Sequence, residues 1–159
     1  SKIQVQKLKV RKELFVVDVL LKQIISNMEM TSPSHAIEVQ GDTSVTVLAD
    51  KDRIEQVVIN LLSNAVKYSP HADRIIILVA SDKKHVTVGV RDAGIGISKN
   101  DVERVFDRYY RVEKGHGSMG FGLGLYISSE IIKQHEGRIW VESQRGKGST
   151  FYFALPLKI

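Results

Sequence analysis

The hydrophobic and polar positions of the chain repeat with two periods. Apolar residues recur every three or four positions over Val16–Met30, Asp52–Pro70 and Gly122–His135, which predicts three long helices. Alternating or continuous apolar runs predict strands at Lys7–Val10, His35–Val39, Ser44–Leu48, Arg74–Ala80, His85–Arg91, Arg138–Ser143 and Ser149–Leu155. Because the helices alternate with strand pairs, we expect an α+β fold in which one mixed sheet carries the helices on a single face.

Several residues mark where the predicted helices begin and end. Asp50 is a suitable N-cap for the second long helix, and Ser69 with Pro70 is expected to end that helix. Ser98 is expected to cap a further helix that continues to about Tyr110, with Asp101 at the capping-box position. The last long helix is expected to stop at Gly137, because glycine is the usual residue at helix C-termini.

The helix over Asp52–Pro70 carries its polar side chains on one narrow stripe. Gln56, Asn60, Asn64 and Lys67 follow one another at spacings of four, four and three, so they share one side of the helix. Amides on a nearly buried helix need hydrogen-bond partners, and a bound ligand can supply them. From this helix alone, a ligand-facing stripe and a solvated stripe remain equally good interpretations.

Asp92 continues the apolar row of the strand over His85–Arg91 by period two. A carboxylate at the end of such a row needs donors, and the exocyclic amine of adenine is a suitable one. Gly94 and Gly96 follow, and they would let the backbone bend and approach a flat base closely. A turn that simply ends the strand explains the same three residues equally well.

A second glycine set, Gly120, Gly122 and Gly124, stands at the start of the last long helix. Free backbone N–H groups and the helix dipole at such a position suit a polyphosphate. The dinucleotide-binding fingerprint is excluded because Leu125 stands where its third glycine is required. The sequence over 146–149 lacks the first glycine of a Walker motif, so we interpret it as a tight turn.

Composition limits the classes of function. The chain has 159 residues, enough for one domain, and its net charge of +5 comes from basic residues that are scattered among acidic ones. We therefore expect no nucleic-acid partner. The longest apolar run, Ile75–Ala80, is too short to cross a bilayer, so no membrane contact is expected from this fragment. The absence of Cys fits a reducing compartment, and we expect a cytoplasmic location.

Taken in order, these motifs resemble the catalytic and ATP-binding domain of sensor histidine kinases, and the resemblance runs from Phe15 to Leu157. Five family boxes carry it: DRIEQVVINLLSNAVKYSP, DAGIGI, VFDRYYRV, GFGLGL and GKGSTFYFALP. The resemblance implies a single domain over 1–159 with the GHKL-type ATPase fold, a mixed and mostly antiparallel five-stranded sheet with three main helices on one face. It also implies that 1–14 follow a phosphoacceptor domain and that 112–121 form a lid over ATP.

The resemblance further implies a role for individual residues. Asn60 is similar to the family residue that ligates Mg2+, and Asn60, Lys67 and Arg111 would form the catalytic set, with Arg111 at the γ-phosphate. The residues expected to bind ATP are Asn60, Asn64, Lys67, Tyr68, Asp92, Gly94, Gly96, Ile97, Gly120, Phe121, Gly122, Leu123, Gly124 and Leu125. Asn64 and Lys67 would hold phosphate oxygens, and Asp92 would recognise the adenine amine.

The resemblance implies a protein histidine kinase whose partners are its own helical dimerisation and phosphoacceptor domain and a downstream response regulator. We expect the isolated domain to be monomeric and the full-length kinase to be anchored at a membrane in some cases. Related ATPases, such as DNA gyrase, place a Glu where Asn60 stands, and that Glu is the base for water. Two alternatives are a serine kinase of the anti-sigma type and a non-catalytic module in which ATP gates protein contacts.

Overall fold

A computed structural model describes residues 9–31, 35–70, 74–108, 110 and 123–157. These ranges contain seven strands and four helices. In chain order they are β1 (Glu13–Val16), α1 (Val17–Thr31), β2 (Ala36–Gly41), β3 (Thr46–Ala49), α2 (Lys51–Tyr68), β4 (Arg74–Ser81), β5 (His85–Asp92), α3 (Lys99–Val102), α4 (Leu123–Gln134), β6 (Arg138–Gln144) and β7 (Gly148–Pro156).

Five strands form the main sheet in the order β2-β4-β5-β7-β6. Only β2 and β4 run parallel to each other, and the remaining neighbours are antiparallel. The expected α+β fold with a mixed, mostly antiparallel five-stranded sheet is thereby confirmed.

The expectation of one sheet is wrong for the first part of the chain, where β1 and β3 pair with each other in a separate two-stranded sheet. The first strand among the described residues lies at Glu13–Val16. Of the predicted strand over Lys7–Val10, the structure describes Lys9 and Val10, and neither is in a strand. Burial explains the shift, since Phe15 is buried whereas Lys9 is exposed.

The helices cover one face of the main sheet. Both central strands bury alternate residues toward them, so each strand presents one apolar row. The buried positions are Ile75, Ile77 and Val79 on β4, and Val86, Val88 and Val90 on β5. Helix α2 buries Ile54, Val57, Val58, Leu61, Leu62 and Ala65. At about 1.5–3 kcal/mol for each large side chain, this burial is the main stabilising contribution that fixes α2 on the sheet.

Both ends of α2 are capped as the sequence predicts. The Asp50 carboxylate accepts a hydrogen bond from the N–H of Arg53 at 3.3 Å and another from the N–H of Arg11 at 2.9 Å. Ser69 forms the C-cap, and its hydroxyl donates to the carbonyl of Ala65 at 2.5 Å. The helix is therefore fixed in length as well as in position.

Helix α3 is much shorter than predicted. Ser98 is its N-cap and its hydroxyl accepts from the N–H of Asp101, as expected, but the helix ends at Val102. Beyond it, the N–H groups of Arg104 and Asp107 donate to carbonyls three residues back, both at 2.9 Å. These tighter turns bring Val105 into the core, and the gain in burial explains why the chain leaves the α-helical path.

The end of α4 also differs from the prediction. Gly137 N–H donates to the carbonyl of Ile132 and Glu136 N–H to that of Lys133, both at 2.9 Å, which is the hydrogen-bond pattern of a Schellman motif. The left-handed residue of this motif is Glu136, with φ of 62°, and not a glycine. Gly137 is required for a different reason, because a Cβ there would overlap the carbonyl oxygen of Ala154.

The buried ring of His135 joins the end of α4 to the start of α2. The Asp50 N–H donates to its Nε2 at 3.0 Å, and its Nδ1 lies 2.8 Å from the carbonyl of Ile131. Since the Asp50 N–H can only donate, Nε2 is the acceptor and Nδ1 carries the proton. The neutral imidazole therefore bridges the two helices.

We predict that Glu136→Gly stabilises the protein, because a side chain in the left-handed region carries a steric cost that glycine avoids. The expected gain in the free energy of unfolding is about 1 kcal/mol. Gly137→Ala, one position further on, should instead destabilise by more than about 1 kcal/mol through overlap with the Ala154 carbonyl. Urea unfolding of the two variants measures both effects. Equal effects of the same sign would contradict the different roles given to Glu136, as the left-handed residue, and Gly137, as the residue in close contact with Ala154.

Candidate functional site

The polar stripe of α2 faces the first turns of α4. The Asn60 side-chain Nδ2 donates to the carbonyl of Gly124 at 3.3 Å and to the hydroxyl oxygen of Ser128 at 3.1 Å. The Gly124 carbonyl can only accept, so the NH2 end of the amide must face α4. The Oδ1 end is consequently left for another partner.

The stripe continues toward the end of α2. Asn64 and Lys67, four and seven residues after Asn60, are half-buried, and so is Tyr68. A rise of about 1.5 Å per residue places Lys67 roughly 10 Å along the helix axis from Asn60. Side chains that offer a carbonyl oxygen, amide hydrogens and an ammonium group therefore lie in one row.

The end of α2 is joined to the segment that follows β5. Ile95 N–H donates to the carbonyl of Tyr68 at 3.2 Å, and Gly94 packs so closely that a Cβ would overlap the same oxygen. Gly96 has a φ of 76°, and a Cβ there would overlap the carbonyl oxygen of Gln144. Contacts within the protein thus account for both glycines.

On its other side, the same segment is held by the turn between β6 and β7. The carbonyl of Ile95 accepts from the N–H of Gly146 at 2.7 Å. Ile97 is buried, and its N–H donates to the hydroxyl oxygen of Ser143 at 2.7 Å. The segment is therefore fixed between the end of α2 and this turn.

Asp92 lies at the root of this segment with only 3% of its surface exposed. It ends the apolar row of β5, as the sequence predicts, and its Oδ1 accepts from the N–H of Gly94 at 2.9 Å. Burial raises the pKa of the Asp92 carboxyl, and hydrogen bonds from the backbone of Gly94 and Ser149 partly oppose the increase. A buried carboxylate of this kind favours a ligand that donates hydrogen bonds.

Two buried hydroxyls belong to this region and were not singled out by the sequence motifs. Ser128 is fully buried and accepts from Asn60. Ser149 is 4% exposed and lies beside Asp92 in the sheet, with its hydroxyl 2.7 Å from that of Ser143. Gly124 and Ser128 are four residues apart and therefore lie on one side of α4. This spacing is the only sequence signal that points to Ser128.

The structure does not test all the residues that the resemblance implies. Arg111, Gly120, Phe121, Gly122 and the expected lid over 112–121 lie outside the described residues. Leu123 begins α4, and Leu125 is half-buried and packs against the core. The guanidinium of Arg108 lies 6.0 Å from the centre of the Tyr126 ring, so this side chain faces α4.

Comparison with known proteins identifies the class to which this fold and site belong. Residues 49–159 match the family described as histidine kinase-, DNA gyrase B-, and HSP90-like ATPases. The chain belongs to this family, and the domain is therefore an ATP-binding domain. The sensor histidine kinase WalK of Bacillus subtilis strain 168 is 43% identical over 141 residues, which cover 85% of this chain and 23% of WalK.

Solved structures agree with this assignment. The mycobacterial sensor histidine kinase MprB has the same fold, with a TM-score of 0.81 at 24% identity over 93% of this chain and 99% of that one. Full-length ShkA in complex with AMPPNP has a TM-score of 0.78 at 26% identity, covering 98% of this chain and 33% of ShkA. The resemblance to the catalytic domain of sensor histidine kinases is thus confirmed.

The chain spans about a quarter of the length of the curated relatives it matches. Those relatives therefore contain other regions besides this domain. Within the described ranges, no helix combines the length and the apolar character that a bilayer crossing requires.

We predict that Asp92→Asn changes stability in a pH-dependent way. The pKa of Asp92 is raised above its ordinary value of 3.8, so the folded state binds the proton more tightly than the unfolded chain does. This contribution favours folding at low pH and is lost as pH rises through the folded-state pKa. The free energy of unfolding of the Asn variant minus that of the parent should therefore be larger at about pH 7 than at about pH 4. Urea unfolding of both proteins at the two pH values measures this difference.

Asp82→Asn is the matched control for this experiment. Hydrogen bonds from the backbone N–H groups of Lys84 and His85 lower the pKa of Asp82, so its contribution is present at neutral pH and lost as pH falls. The free energy of unfolding of this variant minus that of the parent should therefore be smaller at about pH 7 than at about pH 4. A stability difference between Asp92→Asn and the parent that does not vary with pH would contradict the raised pKa of the Asp92 carboxyl.

We also predict that the glycines separate into two groups when replaced by alanine. A Cβ at Gly124 would lie 3.8–3.9 Å from the amide atoms of Asn60, an ordinary contact, so Gly124→Ala should fold with unchanged or higher stability. The new methyl would cover the amide, and ATP affinity should fall by about fivefold or more. Gly94→Ala should instead destabilise the fold, and calorimetry with ATP together with thermal unfolding distinguishes the two cases.

Proposed function

We propose that this domain binds Mg-ATP and donates the γ-phosphate to a His on a separate helical phosphoacceptor domain, as the catalytic part of a sensor histidine kinase. The observation that carries the proposal is the Asn60 amide, whose NH2 group is held by α4 while its oxygen remains for a cation. A neutral amide ligates Mg2+ but cannot accept a proton from water.

The recognition of adenine is proposed for Asp92. Its buried carboxylate suits the exocyclic amine of adenine, whereas guanine would place a carbonyl oxygen against it. The similar protein ShkA was solved in complex with AMPPNP, which supports a nucleotide as the class of ligand. Tyr68 and Ile97, which flank the segment after β5, would lie along the nucleoside.

The row on α2 fits the charged part of the ligand. Asn64 and Lys67 would hold phosphate oxygens, and Asn60 would contribute one oxygen to Mg2+, which usually takes few ligands from the protein. When bound, the cation would neutralise charge on the phosphate oxygens. Arg111 is proposed as the contact to the γ-phosphate, since a guanidinium binds phosphate oxygens in pairs.

The partners follow from the same proposal. Because the relatives are about four times as long as this chain, the phosphoacceptor domain is proposed to belong to the same kinase. A response regulator would then receive the phosphate. ATP as the donor favours the cytoplasm as the place where the domain works.

The test is phosphate transfer to a helical phosphoacceptor domain that is supplied as a separate chain. With γ-labelled ATP and Mg2+, we expect a label that is labile in acid and stable in base, as for phosphohistidine. Excess unlabelled ATP should suppress the labelling, and excess GTP should not. Asn60→Ala should remove transfer, and a circular dichroism spectrum like that of the parent would show that the variant is folded.

Each other outcome points to a different function. A label that is stable in acid and labile in base would indicate transfer to serine, as the anti-sigma alternative requires. Tight ATP binding without transfer to any acceptor would indicate an ATP-gated interaction module. Suppression by GTP as strong as by ATP would contradict the role of Asp92.

A further inference from the structure

Ser128 is a fully buried hydroxyl on α4 that contacts the polar stripe of α2. Its exposure is 0%, and its Oγ accepts a hydrogen bond from Asn60 Nδ2 at 3.1 Å. The same nitrogen donates to the carbonyl of Gly124 at 3.3 Å. Two acceptors, one turn apart on α4, therefore hold both hydrogens of one amide.

This arrangement determines which end of the amide is presented to a ligand. An asparagine side chain has two ends of nearly equal shape, one that donates and one that accepts. The NH2 end is occupied by α4, so Oδ1 is the atom that remains available. If the amide turned over, its oxygen would face the carbonyl oxygen of Gly124 and leave a repulsive contact.

We propose that Ser128 is a positioning residue that holds the Asn60 amide with Oδ1 directed to the bound cation. The inference rests on the proposed function, in which Asn60 ligates Mg2+. Ser128 itself does not touch the nucleotide in this proposal. It acts by restricting the rotation of Asn60, so that the oxygen is in place before Mg-ATP arrives.

A purely structural role makes a different prediction. If the buried hydroxyl only supplies a hydrogen bond between α2 and α4, its removal should lower the stability of the fold. The dependence of ATP binding on Mg2+ should then stay unchanged. The two roles are therefore distinguished by comparing ATP affinity with Mg2+ and with EDTA. Stability alone does not separate them.

The experiment uses Ser128→Ala in calorimetric titrations with ATP. In the parent protein, Mg2+ should increase ATP affinity, and in the variant this increase should be about fivefold smaller, as expected from the loss of one hydrogen bond. Affinity for ATP in EDTA should be the same in both proteins. Ser129→Ala is the matched control, since residue 129 points about 100° away around the helix and should leave both affinities unchanged.

A second measurement needs no nucleotide. The side-chain NH2 signals of Asn60 in a nitrogen-15 correlation spectrum, assigned by their absence in Asn60→Ala, should shift and exchange faster with solvent in Ser128→Ala. In Ser129→Ala they should stay in place. If Ser128→Ala does not fold, Ser128→Cys keeps the shape of the side chain at slightly larger volume and with a weaker acceptor, and it should show the same changes at smaller size.

The outcomes separate the inference from the proposed function. A parent protein whose ATP affinity does not depend on Mg2+ would overturn the proposed function. A parent with clear Mg2+ dependence that Ser128→Ala retains in full would leave that function intact and overturn the role of Ser128.

Discussion

The packing of α2 between the main sheet and α4 is the constraint on which the rest of the structure depends. Its apolar residues are buried against the sheet, and its remaining side, with Asn60 at the centre, contacts α4. Asp50 and Ser69 fix its two ends, and His135 joins its start to the end of α4. The polar row is thus attached to a helix whose apolar side is buried in the core, so its side chains gain their positions from the core.

The site also contains features that cost stability. Asp92 places a carboxylate where the pattern of β5 calls for an apolar residue, and burial raises its pKa because the charged form is poorly solvated there. The segment after Asp92 can pack in its observed position only because Gly94 and Gly96 have no Cβ that would overlap the backbone carbonyls of Tyr68 and Gln144. Gly124 meets no such restriction, since the atoms nearest to an added Cβ would be those of the Asn60 amide at ordinary contact distance. Glycines that look alike in sequence therefore serve different ends, closure of the fold in one case and access to an amide in the other.

Sequence periodicity predicts the parts of the fold whose residues are dictated by local rules. Helix α2, the Asp50 cap and the buried row that ends at Asp92 follow from spacing and are confirmed. Predictions failed where tertiary contacts override local preference: burial of Val105 shortens α3, and Glu136 adopts a left-handed conformation that favours glycine. Ser128 was missed because a serine in a helix has no pattern that reveals a partner on another helix. The roles that the resemblance assigns to individual residues stay predictions.

The contact between α2 and α4 bears on which reaction the site supports. The Gly124 carbonyl and the Ser128 hydroxyl oxygen both accept from residue 60, so this contact requires a side chain with hydrogens to donate. An ionised carboxylate has none, and its oxygen would face the carbonyl of Gly124. A glutamate that activates water, as in the related ATPases, would therefore need a different contact with α4. In this domain the contact with the neighbouring helix favours an amide at residue 60. An amide at this position agrees with the proposed transfer to a separate acceptor, because it cannot act as the base for water.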